Sequence, residues 1–142
     1  MQVIFPCSIV SLPQVKTFFD KICSLVFAHP QMKKNFKGSL DHVLEHEGGW
    51  ADHPKDPGGA TMKGVTLTTF RRHFGKDKSK KALRNISDDE LGQIYQSGYW
   101  DKCHCDRLPS GVDYAVFDAA VNSGPGRSVK WLQAAVGAKQ DG

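Results

Sequence analysis

From Phe36 the apolar residues recur at Phe36, Leu40, Val43 and Leu44, the i, i+4, i+7, i+8 spacing of one helical face. The next member of that series is Glu47. At about 100° per residue it falls on the apolar stripe, whereas His42, Glu45 and His46 fall on the opposite side. Gly48-Gly49 then ends the helix, because glycine accepts the left-handed C-cap conformation. The pattern sets a carboxylate where a core residue belongs, at the end of an amphipathic helix.

The rest of the chain reads as further helices. Thr66 is placed to cap a helix carrying Phe70 and Phe74 and ended by Gly75. Ser87-Asp88-Asp89-Glu90 has the form of a capping box and opens a helix with Leu91, Ile94 and Tyr95 on one face. Val112, Val116 and Ala119 follow Pro109-Ser110-Gly111 and run to Gly124-Pro125-Gly126; Val129, Leu132 and Val136 mark a last helix. Five helices with almost no alternating pattern predict a mainly α domain. Between the first two, residues 50 to 65 hold two prolines, with five glycines counted from Gly48 to Gly64, so an irregular loop or short hairpin is expected there.

A chain of 142 residues with 39% hydrophobic and 24% charged residues has the make-up of one ordinary domain, with function gathered at one site. Its net charge of +4 is a mild bias toward anionic partners, far from the excess of a nucleic-acid packaging protein. No run of eighteen apolar residues occurs, so no stable membrane insertion is expected. The cysteines lack disulfide-framework spacing, which makes a reducing compartment the default. Residues 1 to 31 are different in kind: seventeen are apolar, the first lysine is Lys16, and Pro6 and Pro13 break the apolar stretch. That pattern does not suit a secretory signal, and the segment reads as an extension outside the working domain. The other reading is a short helix, Val15 to Phe27, covering an apolar patch.

Several residue sets carry chemistry, each with a plainer reading. A carboxylate at Glu47 loses hydration on the apolar face and meets the negative end of the helix dipole, and both effects favour its protonated form. That is the profile of a general acid for a glycosidic bond; the plainer role is an acid paired with an Arg or capping a neighbour. The segment Asp52 to Thr61 can supply a second carboxylate and backbone N–H groups, or serve as a stiff connector. His42-Val43-Leu44-Glu45-His46 matches the H-x-x-E-H zinc pattern, but on the solvent side of its helix. Cys103-His104-Cys105 lacks a second pair at zinc spacing and reads as buried thiols near a turn. Seven Lys and Arg residues between Arg71 and Arg84 face one Asp77, yet aromatic interleaving is limited to Phe74, so no nucleic acid partner is expected. Trp50 and the pair Tyr99-Trp100 suit stacking on sugar rings, or core packing.

Taken together, Glu47-Gly48-Gly49-Trp50, Asp56 to Thr61, Gly64-Val65-Thr66, Tyr99-Trp100-Asp101 and Phe117 to Gly126 resemble the blocks of glycoside hydrolase family 108, the lysozyme-like N-acetylmuramidases. The resemblance implies a compact, mainly α, lysozyme-like fold with a loop or short hairpin after the catalytic helix. It implies cleavage of the β-1,4 bond between N-acetylmuramic acid and N-acetylglucosamine in peptidoglycan glycan strands, with Glu47 as the essential acid. Asp56, Asp52, Thr61 and Thr66 are the candidates for a base or a water-positioning group. Trp50, Gly58, Gly59, Tyr99, Trp100 and Asn122 are the expected substrate contacts. Trp50 stands where the family usually has Tyr, which keeps a stacking surface and removes a hydroxyl.

No metal and no cofactor is implied, and the protein is expected to act as a monomer. Residues 32 to 125 would form the muramidase domain. Trp131-Leu132-Gln133 and residues 138 to 142 resemble the opening of a peptidoglycan-binding module over 126 to 142, cut off at Gly142. Family members are phage or prophage endolysins and accessory muramidases of protein export. That sets the expected route: synthesis in the cytoplasm, then action in the periplasm or wall after holin-like or dedicated release. Two rival functions remain: a non-catalytic wall-binding or export accessory, and a zinc amidase or peptidase using His42 and His46.

Overall fold

The structure, a computed structural model, describes residues 35–52 and 59–142. The extension at 1 to 31, and Asp56 and Gly58 of the loop, lie outside the described residues.

Six α-helices and one small hairpin make up the described chain. Helix α1, Asn35–His46, buries Ser39, Leu40 and Val43, the face that the apolar spacing defines. Beyond Gly49, Ala51 and Thr61 exchange two backbone hydrogen bonds of 2.9 and 2.7 Å. These close the loop at its neck. Strands β1 (Thr61–Met62) and β2 (Val65–Thr66) follow, antiparallel, with Met62 opposite Val65. Lys63 and Gly64 make the turn with φ of 46° and 74°. Two consecutive left-handed residues are the signature of the type I′ turn, whose twist matches that of the strands it joins.

Thr66 then caps α2, Leu67–Phe74, by accepting from the Thr69 N–H. A short helix absent from the sequence-based expectation, α3 (Lys80–Arg84), is capped by Ser79. It was hidden because its five residues carry one buried side chain, Leu83, too few to show a period. The expected capping box of Ser87 and Glu90 opens α4, Asp88–Tyr95. That helix runs directly into a π turn, Gln96–Trp100. After a 3₁₀ turn, Cys105–Arg107, come α5 (Val112–Ser123) and α6 (Pro125–Ala135). Helix α6 is fastened to α5 by the buried Ser128 hydroxyl, which donates to the Val116 carbonyl at 2.7 Å. Val136, expected on the inner face of the last helix, lies one residue beyond it and is exposed.

The core gathers around Phe117 of α5. Its ring meets Phe36 of α1 at 5.8 Å, Trp100 at 5.4 Å and Tyr95 of α4 at 6.5 Å, all edge to face, the orientation the aromatic quadrupole favours. A second tie joins the same helices, where Asn35 Nδ2 donates to the buried Asp113 carboxylate at 2.8 Å. That carboxylate also accepts from the Gly111 and Tyr114 N–H groups. Three elements are thus held by one aromatic cluster. Phe117→Ala is expected to cost about 3–5 kcal/mol of stability, read by denaturant unfolding; a cost below about 1 kcal/mol would contradict the central place given to this ring.

Candidate functional site

Glu47 follows the last residue of α1, and its N–H still bonds to the Leu44 carbonyl at 3.3 Å. The helix therefore aims its side chain, which is half-buried as the apolar stripe predicts. What it meets is the hairpin turn. A Cβ added to Gly64 would stand 2.7 Å from Glu47 Oε2, 3.0 Å from its Cδ and 2.5 Å from the Tyr95 hydroxyl oxygen. Carboxylate, glycine and phenol converge on one point. The Tyr95 hydroxyl donates to the Lys63 carbonyl at 2.9 Å, fixing the turn to α4.

Tyr99, half-buried on the π turn, lies against Tyr95 with ring centroids 5.6 Å apart. Burial pushes both phenols above the ordinary tyrosine range, and the nearby negative charge of Glu47 adds to the effect on each. Tyr99 thus stands in the surroundings of Glu47.

Trp100 does not. The expectation of a substrate contact is corrected here: Trp100 is 2% exposed, and its ring is packed edge-on against Phe36 and Phe117. The π turn is the cause. Its Asp101 N–H bonds to the Gln96 carbonyl, and closure over five residues brings the residue five after Tyr95 back to the same inner face. A regular helix would have turned Trp100 away.

The other candidates are distributed around the loop. Trp50 is half-buried, and the Arg84 guanidinium sits over its ring at 5.7 Å. Asp52 is held by the Lys80 ammonium at 2.9 and 3.0 Å. Since Lys80 and Arg84 are one helical turn apart, α3 grips the outgoing strand of the loop by two side chains. Part of the basic run from Arg71 to Arg84 is therefore used within the protein, with Arg71 also donating to the Lys78 carbonyl. Thr61 donates to the carbonyl of half-buried Gly59 at 3.3 Å. The Thr66 hydroxyl is engaged with Thr69 as a helix cap. Asn122, exposed near the end of α5, gives its amide to the Asp118 carbonyl and carboxylate.

His42 and His46 are exposed on the outer face of α1, His42 lying 3.7 Å from Glu45. Cys103 and Cys105 are both buried beside the 3₁₀ turn, where their mutual hydrogen bond lowers the Cys103 thiol and raises that of Cys105. Between α1 and α4 an open cleft of about 880 Å³ is lined by Leu40, Leu44, Gln93 and Gln96, and it reaches Lys63 at the hairpin turn.

Sequence reasoning passed over Tyr95 and the turn at Lys63. Tyr95 reads as one more apolar position in a helical face, and only its hydroxyl, which needs a partner when buried, signals more. Lys63-Gly64 lacks the Asn or Asp that usually marks a two-residue turn.

This fold is a mainly helical domain with one hairpin set against the end of its first helix. The sequence model of the glycosyl hydrolase 108 family matches residues 40–124, more than half of the chain, and the chain belongs to that family. The match ends short of the segment compared above with a peptidoglycan-binding module. Among solved structures, that of Brucella abortus SagA is similar, with 46% identity and a TM-score of 0.64. The alignment covers 77% of this chain and 63% of that one, so the chain spans less than two thirds of its structural relative. Comparison with curated proteins gives no match.

The raised phenols carry a prediction. A group that holds its proton more tightly folded than unfolded gives stability that is complete below its unfolded value and is lost as pH rises toward its folded value. Stability should fall from about pH 10 upward, where unfolded tyrosines begin to ionise. Tyr95→Phe should lose less over that window, measured by melting temperature against pH; parallel curves for parent and variant would contradict the environment described for Tyr95.

Proposed function

We propose that the protein is a muramidase that hydrolyses the β-1,4 bond between N-acetylmuramic acid and N-acetylglucosamine in peptidoglycan, with Glu47 as general acid. The observation that carries this reading is the Glu47 carboxyl itself. It is half-buried at a helix end, faced by the hairpin turn and two tyrosines, in a chain of a glycosidase family. A carboxyl in such surroundings suits protonation of a leaving glycosidic oxygen, whose departure leaves oxocarbenium character on the sugar.

Water then adds to the anomeric carbon and leaves a new reducing end on the muramic acid. The loop after α1 supplies the group that directs this water. Asp56, Asp52, Thr61 and, just beyond the loop, Thr66 are its candidates; Asp52 would have to work while held by Lys80, and Thr66 while capping α2. We take the reaction to invert the anomeric centre, which requires room for that water between the acid and its partner. Trp50 and Tyr99 would offer apolar surface to sugar rings, with the exposed Arg84 guanidinium lying over Trp50. The enzyme would reach the periplasm or wall by holin-like or dedicated release.

Glu47→Gln tests the reading. The variant keeps the shape of the side chain and loses its transferable proton, so release of reducing ends from purified peptidoglycan should fall by about 10²- to 10⁴-fold with the melting curve retained. Products ending in reducing muramic acid identify a muramidase, whereas glycan binding without release would mark an accessory protein. Lysis retained by Glu47→Gln would refute the assignment.

A further inference from the structure

Among the described residues, the hairpin turn stands against the Glu47 carboxyl.

That turn is not secured by its own sequence. Lys63 adopts φ of 46° and Gly64 φ of 74°. Glycine does so at no steric cost, but a lysine in the left-handed region is uncommon and locally unfavourable. From outside the hairpin, the Lys63 ammonium lies 3.5 Å from the exposed Asp88 carboxylate at the start of α4, a weak surface pair that does not fix the backbone; a buried contact does. The Tyr95 hydroxyl, 2.9 Å from the Lys63 carbonyl, is the contact that does so from the core. Tyr95 is 2% exposed and wedged between the rings of Phe117 and Tyr99, so its hydroxyl has a fixed place. Phenylalanine would fill the same space; the hydroxyl answers to the turn.

We propose that Tyr95 and Gly64 are positioning residues for Glu47. The Tyr95 hydroxyl pins the Lys63–Gly64 turn through the Lys63 carbonyl, and the bare Cα of Gly64 lets the turn close against the Glu47 carboxyl and hold its direction. The chain of contact runs from the aromatic core to Tyr95, from Tyr95 to the Lys63 carbonyl, and from Gly64 to Glu47. Any side chain at Gly64 would have to enter the space between Glu47 Oε2 and the Tyr95 hydroxyl. This inference rests on the reading of Glu47 as general acid, because only a group that must deliver a proton at one point gains from being held so closely.

The test uses the full chain and soluble peptidoglycan glycan fragments. Tyr95→Phe should lower kcat by about 10- to 100-fold, the scale of a small misplacement of a catalytic group. KM should stay within about twofold, the sign of an interaction that matters after binding. Gly64→Ala should lower kcat likewise at a temperature where the variant is folded. Lys63→Asn supplies the rescue. Asparagine tolerates the left-handed conformation and makes an Asn-Gly turn that needs no outside support, so Lys63→Asn/Tyr95→Phe should recover most of the kcat lost by Tyr95→Phe alone. Packing loss at Tyr95 would not be repaired in that way. If Tyr95→Phe retains kcat within about twofold while Glu47→Gln is inactive, the positioning role is overturned and the general acid stands. The same holds if Lys63→Asn restores nothing. If Glu47→Gln is active, both fall.

Discussion

The edge-to-face cluster around Phe117 is the contact on which the rest depends. It joins α1 through Phe36, α4 and its π turn through Tyr95 and Trp100, and α5 through Phe117 itself. Those are the elements that carry Glu47 and its surroundings. A helix of twelve residues such as α1 is marginal alone in water, so the direction in which it aims Glu47 is set by what its inner face is packed on. Stability and site geometry have the same source here.

The π turn shows how the core and the site divide the aromatic residues between them. Tyr99 and Trp100 are neighbours in sequence, both suited to stacking on sugars, yet one is half-buried near Glu47 and the other is core. Closure over five residues makes the division, and π turns of this kind occur often at functional sites. The same economy is seen in α3, whose Lys80 and Arg84 restrain Asp52 and Trp50 as the chain enters the loop. Charges that suggest an anionic partner when counted along the chain thus also shape the protein.

The hairpin is the smallest element and the one in contact with the acid. Two residues per strand bury little, and such a hairpin is not stable by itself. It is held by the neck at Ala51 and Thr61, by Leu67 bonding to the Ala60 carbonyl, and by Tyr95 on its turn. Membership of the glycosyl hydrolase 108 family, resting on residues 40–124, spans the first helix, the hairpin, α4 and α5 together. The family is therefore matched over the parts that build the Glu47 surroundings.

The helices were legible in the sequence because their signals are local. The spacing of Phe36, Leu40, Val43 and Leu44, the caps at Thr66 and Ser87, and the glycines at 75 and 124 each act over a few residues, and each appears where it was expected. The placement of Glu47 on the apolar stripe was legible for the same reason, since helical geometry carries the stripe from Leu44 to the residue three positions on. Trp100, Tyr95 and the turn at Lys63 were not. A π turn leaves no period in so short a segment, a buried hydroxyl is indistinguishable from a buried ring until its partner is known, and Lys63 takes a left-handed conformation that its own type disfavours. Sequence alone determined a helical domain that ends its first helix on an inward acid. Tertiary structure decided what faces that acid, because the contacts between Glu47, Gly64 and Tyr95 join residues far apart in the chain that only packing brings to one point.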